Sequence, residues 1–312
     1  MNITTPYQNS RMTVIGIDHG YGNIKTANTC FPAGVTAYAK EPTFSRNVLY
    51  YEGTCYSIGE GHKEFTADKI ADTDYYILTL AAIARELELR GRTQADVYLA
   101  TGLPLTWVSE QKDRFRKYLT QKRDVDFTFR DKQYLIRIIG AEVFPQGFAA
   151  VASKLADFKG TYMLCDIGNG TMNIMSISNG KPNPQKCYTE KFGVYQCTLA
   201  VREQVLRRFG TTIDDDVIED VLRNGTADIA EKYLNVIQET ARNYVNGIMR
   251  RLREHEYNPD LMKLYIVGGG GCLIRNFADY DTSRVTIDDD ICATAKGYEF
   301  MAELRLKKAG SV

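Results

Sequence analysis

The chain has 312 residues, 44% hydrophobic and 25% charged, an ordinary globular composition with length for about two domains. Lys plus Arg and Asp plus Glu each number 39, so the formal net charge is zero. That balance argues against gripping DNA or an acidic membrane directly, which needs concentrated cationic charge. Seven scattered cysteines without a C-x-x-C pair, and three histidines far apart (His19, His62, His255), argue against a disulfide frame, a zinc site or a histidine metal centre. No apolar run approaches about 18 residues, and the first eleven residues are polar without a signal-peptide core. A reducing, cytoplasmic location is expected.

In chain order, residues 13–17 read as a strand ending at Asp18 and a glycine turn, with 24–28 returning as its hairpin partner. Residues 48–51 and 54–58 make a second hairpin. A helix is predicted over 73–89, capped by Thr73 and stopped by Gly91, followed by a short buried strand at 96–101. A basic helix over 110–120, capped by Ser109, leads to strands at 125–129 and 134–139. Pro145 leads in a helix over 146–157. The grammar then restarts: a strand at 162–167 ends in a second Asp-x-Gly turn, and 171–177 returns toward the hairpin turn Asn179-Gly180. Helices follow at 195–209, 214–223 and 227–254. A strand at 264–267 runs into Gly268 to Gly271, a short helix covers 273–277, and a last helix spans 290–308.

The internal repeat carries the chemistry. Ile17-Asp-His-Gly-Tyr-Gly-Asn-Ile-Lys25 and Cys165-Asp-Ile-Gly-Asn-Gly-Thr-Met-Asn173 are each a strand, an Asp, a tight glycine turn and a second strand. Such a turn gathers backbone N–H groups into a concave nest that binds phosphate. The Asp at the strand end repels phosphate, so its natural partner is Mg²⁺, mostly through water. Lys25 is either a phosphate-facing point charge or a solvated surface lysine. His19 and Tyr21, inside the first turn, are both able to line the pocket but are expected to be structural. Four consecutive glycines after a strand exceed what a tight turn needs and let a flat ring or phosphate lie on backbone. Glu142, in Glu-Val-Phe-Pro145, is either a surface residue leading into the helix or a carboxylate that orients or deprotonates a water, with Gln146 the next candidate. The P-loop motif is absent. Neither Asp-Gly turn is a dinucleotide fingerprint, because each leads into a strand rather than a helix.

Five segments in order resemble the actin, sugar-kinase and heat-shock-chaperone ATPase superfamily, and within it the plasmid-segregation actins of the ParM/StbA type: Asp18 to Lys25, Glu142-x-x-Pro145, Asp166 to Asn173, Thr198 to Glu203 and Ile266 to Gly270. The resemblance implies an α/β fold of two ribonuclease-H-like lobes, each a five-stranded sheet flanked by helices, with a nucleotide cleft between them. Lobe I would cover 12–165, completed by the C-terminal helix 296–312, and lobe II 166–295. ATP or GTP with Mg²⁺ is the implied cofactor. By correspondence with the family, Asp18 and Asp166 order Mg²⁺ and its water, and Glu142 is the hydrolytic carboxylate. Gly20, Tyr21, Gly22, Asn23 and Lys25, with Gly168, Asn169, Gly170 and Thr171, hold the phosphates. Arg202 and Glu203 lie on the nucleoside side, and Gly268, Gly269 and Gly270 form the adenosine loop. Asn169 interrupts the usual glycine run, and Asn173 replaces a usual acidic residue. The implied function is a filament-forming ATPase that assembles with itself and segregates plasmid or other mobile DNA through a DNA-binding adaptor, with no direct nucleic-acid or membrane contact. The alternatives are a small-molecule kinase of the sugar-kinase branch and a non-hydrolysing nucleotide-binding scaffold. The shortness of the chain is read as leaving no room for a kinase's added substrate domain or a chaperone's peptide-binding domain.

Overall fold

The computed structural model describes residues 12–40, 46–60, 69–70 and 73–310; the polar lead-in 1–11 and His62 lie outside the described residues. In chain order the elements are β1 (Thr13–His19), β2 (Asn23–Lys25), β3 (Cys30–Pro32), β4 (Val35–Tyr38), β5 (Val48–Tyr51), β6 (Thr54–Ile58), α1 (Asp74–Leu89), β7 (Gln94–Leu103), α2 (Val108–Leu119), β8 (Asp124–Phe129), β9 (Lys132–Pro145) and α3 (Phe148–Val151). Then come β10 (Thr161–Ile167), β11 (Met172–Ser178), β12 (Lys181–Glu190), α4 (Val194–Phe209), α5 (Asp215–Asn224), α6 (Glu231–Glu254), β13 (Lys263–Val267), α7 (Gly271–Phe277), β14 (Val285–Ile287) and α8 (Ala293–Lys308).

The chain divides into two compact units. The first comprises Met1–Leu103, Trp107–Ser153 and Cys292–Val312, the second Pro104–Thr106 and Lys154–Ile291. Among the described residues, the first unit holds a nine-stranded sheet in the order β3-β2-β1-β7-β9-β8-β5-β6-β4. The expectation of five strands per lobe fails here for a local reason. β8 pairs with β9 on one side and with β5 on the other, so the β5-β6-β4 meander joins the main sheet instead of standing apart. α1 is buried along most of its length, from Tyr75 to Leu87, as an apolar helix against this core.

β9 departs most from the sequence reading. It runs fourteen residues to Pro145, not ending at 139, because β7 offers a ten-residue parallel partner as far as Leu103 opposite Pro145. Pro145 sits at the last position, where its missing N–H costs no ladder bond. Ile139 is an extra residue in this pairing, since Val97 faces Ile138 while Tyr98 faces Gly140. Such a bulge inverts the pleat. Tyr134, Ile136 and Ile138 face one core before it; Ala141 and Val143 face that core after it, and Phe144 turns to the opposite side. The predicted helix over 146–157 shrinks to the single turn α3, led by Gly147 at φ 74°, and a 3₁₀ stretch over Ala152–Asp157.

α8 completes the first unit by packing on β1, β7 and α3. Two glycines allow its close approach: a Cβ on Gly297 would stand 1.9 Å from the Ala149 carbonyl oxygen, and one on Gly16 2.1 Å from that of Ala295. Glu299 of α8 accepts the Gly16 N–H at 3.0 Å, and burial pushes its carboxyl up to about 7.

The second unit has a five-stranded sheet, order β12-β11-β10-β13-β14, with β10, β13 and β14 parallel. Asn179 and Gly180, both at positive φ, make the predicted tight turn between β11 and β12. Cys165, Ile167, Met172 and Ile174 share one core with Val201 and Val205 of α4 and Ile237, Val245 and Ile248 of α6. α4 and α5 end on left-handed glycines, Gly210 and Gly225. No helix among the described residues is long and apolar enough to cross a membrane.

Candidate functional site

The sequence repeat is also a repeat of geometry. Asp18 lies opposite Lys25 in the β1–β2 ladder, and Asp166 lies opposite Asn173 in the β10–β11 ladder. Lys25 and Asn173 are therefore the same structural position, and Asn173 approaches its Asp, with Nδ2 at 3.5 Å from Asp166 Oδ2. In both turns a glycine two residues after the Asp crosses the carbonyl three residues further on. A Cβ on Gly20 would stand 2.5 Å from the Asn23 oxygen, and one on Gly168 3.3 Å from the Thr171 oxygen. The Gly168 N–H donates to that Thr171 oxygen at 2.9 Å. Only glycine gives the first turn this curvature. Gly22, Gly170 and Thr171 are buried within the turns, while Gly20, Asn23, Lys25 and Asn169 are partly exposed. Tyr21 is 5% exposed, and burial pushes its phenol up, as a packed structural ring requires.

The carbonyls of the second turn are held from behind. Val194 and Tyr195, the first residues of α4, donate to the Gly168 and Asn169 oxygens at 3.0 and 2.9 Å. Gly193 must lack a side chain, since a Cβ there would stand 2.3 Å from the Asn169 oxygen. The glycine loop holds the third carbonyl, with the Gly270 N–H donating to Ile167 O at 2.9 Å. Gly268 has φ +86°, and its Cβ would meet Asp166 Oδ1 at 2.5 Å. Asp166, the second turn and the glycine loop therefore form one cluster within the second unit.

In the first unit the residue touching Asp18 is Gln146, whose Nε2 donates to Asp18 Oδ1 at 3.1 Å. Gln146 is 8% exposed. Glu142 takes another course. The bulge at Ile139 puts it on the pleat of Phe144, on the side of α8, where it pairs with Arg305.

Residues 16–148 match the N-terminal domain family of actin-like proteins, and residues 164–279 match the C-terminal domain of the MreB-like archaeal actin homologues. Among solved structures, the archaeal actin homolog Ta0583 in complex with ADP is 21% identical over 94% of this chain and 100% of its own, with a TM-score of 0.72. The apo ParM protein of psk41 is 16% identical over 96% and 99%, with a TM-score of 0.71. The Alp12 filament structure is 16% identical over 94% and 99%, with a TM-score of 0.65. The chain folds as an actin-like protein of the ParM type. No curated protein matches its sequence.

Other residues expected in the site of this actin-like chain are engaged elsewhere. Arg202 pairs with Asp215 at the start of α5, and Glu203 pairs with Arg207 one turn along α4 at 2.7 Å. Both pairs lie on the surface, where each adds about 1 kcal/mol at most. Among the described residues, no hydrogen bond or ion pair joins Arg202 or Glu203 to Asp166.

One residue was missed. Lys69 is 2% exposed, and its ammonium donates to the carbonyl of His19 at 2.5 Å, at the end of β1. Burial lowers its pKa to about 8, opposed by the charge of Asp18. His19 is itself fully buried between the Thr79 and Thr101 hydroxyls, at 2.8 Å from each. Burial, then Lys69, lower its pKa well below the ordinary value, so its imidazole is neutral. The sequence signal was faint: a lone lysine before the apolar helix α1, with nothing to mark it as internal.

Proposed function

We propose that this chain is a Mg²⁺-dependent nucleoside triphosphatase whose bound nucleotide drives self-assembly into filaments. The observation that carries the reading is the repeated hairpin, with the same ladder register and the same glycine crossing in both units. A nest of backbone N–H groups next to a carboxylate suits a phosphate accompanied by a hard cation. Likeness supports it: Ta0583 is seen with ADP, and Alp12 as a filament.

In this reading Gly20 to Asn23 with Lys25, and Gly168 to Thr171, hold phosphates, while Gly268 to Gly270 carry the adenosine side. The chemistry of each hairpin suits Mg²⁺: Asp18 in the first unit and Asp166 in the second each offer a carboxylate at the end of a strand beside a glycine turn. Such a donor holds a cation that keeps most of its waters. When bound, Mg²⁺ supplies charge neutralisation at the phosphate oxygens. Gln146 donates one amide hydrogen to Asp18, which fixes the amide and leaves its Oε1 to accept from the attacking water. An amide orients a water without taking its proton. Glu142 is held by Arg305, so the water-positioning role first assigned to it passes in this proposal to Gln146.

Substituting Asp166 by Ala is expected to weaken Mg-nucleotide binding more than Mg-free nucleotide binding, as titration of a fluorescent nucleotide with and without Mg²⁺ would show. Equal losses would mean that Asp166 does not act on the cation.

Assembly follows from one head-to-tail contact that does not close into a ring, favoured by the nucleotide-bound conformation and weakened after hydrolysis. The cargo would be plasmid or other mobile DNA, reached in the cytoplasm through a DNA-binding adaptor, because the neutral chain lacks a cationic excess. Sedimentation and negative-stain microscopy with Mg-ATP, Mg-GTP and a non-hydrolysable analogue test the proposal. Protein that stays monomeric with all three, and phosphorylates a small-molecule hydroxyl, is a kinase of the sugar-kinase branch instead. Protein that binds nucleotide without hydrolysis or assembly is a scaffold.

A further inference from the structure

The two hairpins differ in what holds the carbonyl directly after the Asp. In the second unit that carbonyl belongs to Ile167, and it accepts the backbone N–H of Gly270 at 2.9 Å. In the first unit it belongs to His19, and it accepts the ammonium of Lys69 at 2.5 Å. A buried side-chain cation thus stands where the other repeat uses a backbone amide.

Among the described residues, mainly apolar side chains and rings surround Lys69. Ile70, Leu103 and Phe115 wall the space around Lys69 together with Gln111 and the like-charged Arg114. The rings of Tyr21 and Tyr75 lie 5.5 and 5.6 Å from its Nζ. The ammonium makes no ion pair with a carboxylate among the described residues; Asp18 acts on it only through space. A buried ammonium held by one carbonyl and no ion pair is costly, and a methionine of similar length would pack there without that penalty.

We propose that Lys69 is a positioning residue for the first phosphate turn. It pins the His19 carbonyl from behind and adds positive charge beneath Gly20 to Gly22, so that the turn's N–H groups point to the phosphate. The proposal rests on the nucleotide reading above. It makes affinity fall without a loss of stability, which a merely structural lysine would not do.

The test uses the full chain with the substitutions Lys69→Met and Lys69→Gln, measuring ATP and ADP affinity by calorimetry and the thermal midpoint without nucleotide. The expected result is an affinity loss of about 10- to 100-fold, the scale of one charge-assisted hydrogen bond, with the midpoint unchanged or raised for Met. Wild-type affinity in Lys69→Met overturns the proposal while leaving the nucleotide reading intact. An affinity loss matched by a lowered midpoint in both variants also overturns it, because the role is then structural. Wild-type protein that binds neither nucleotide overturns the nucleotide reading itself, and the proposal with it. Should Lys69→Met fail to fold, Lys69→Gln decides by the same two measurements.

Discussion

Replacing Gln146 by Ala is expected to lower Mg-ATP turnover by about 10²-fold or more, the loss typical of a positioned acid–base or water-orienting group. Nucleotide affinity should change much less, since the backbone nests remain. The proposal gives Gln146 this role because it is the amide bonded to Asp18, it is buried, and it follows directly on the end of β9. Glu142→Ala should leave a larger share of the turnover, because that carboxylate is held by Arg305 on the pleat that faces α8. Steady-state hydrolysis by the two variants at saturating Mg-ATP separates the possibilities. A near-complete loss in Glu142→Ala with a near-normal rate in Gln146→Ala would return the role to the glutamate.

The pairing of Glu142 with Arg305 marks where legibility in the sequence ended. The repeat was legible because an Asp and spaced glycines between two apolar runs allow few conformations, and both hairpins appear with matching register. Strong local signals also held: Asn179-Gly180 turns the β11–β12 hairpin, and the glycine run after β13 leads into a helix. The direction of Glu142 was not legible. Its pleat depends on the single bulge at Ile139, which is created by the register of the neighbouring β7 and not by anything in the local pattern. The nine-stranded sheet was hidden for the same reason, since β8 joins the β8–β9 hairpin to β5 by a pairing between segments far apart in sequence. Lys69 was hidden because a lysine is read as surface by default, and only the tertiary fold sets its ammonium against His19.

The glycine loop gives the sharpest separation of fold from ligand. Gly268→Ala is expected to destabilise the protein by about 3 kcal/mol or more, combining a left-handed backbone with a collision. The new Cβ would stand 2.5 Å from Asp166 Oδ1 and 2.6 Å from Ile167 O. Neither oxygen can retreat freely: Ile167 O accepts the Gly270 N–H at 2.9 Å, and Asp166 sits in the β10 ladder between β11 and β13. A thermal midpoint lower by on the order of 10 °C should result, together with weaker nucleotide binding through the displaced Asp166. Gly269→Ala is the contrasting substitution. Its chain neighbours aside, no atom among the described residues lies within 4 Å of a Cβ at Gly269, and its φ is outside the left-handed region. Folding should therefore be nearly indifferent to the methyl. If the adenosine rests on this backbone, the same methyl stands between ring and chain and lowers affinity by about 10-fold, equivalent to 1.4 kcal/mol. Thermal unfolding and nucleotide titration of the two variants give the decisive pattern: Gly268→Ala loses stability and affinity together, and Gly269→Ala loses affinity alone. A Gly269→Ala protein that binds ATP as tightly as the wild type would remove the glycine loop from the nucleotide site and leave it as the structural brace of Asp166.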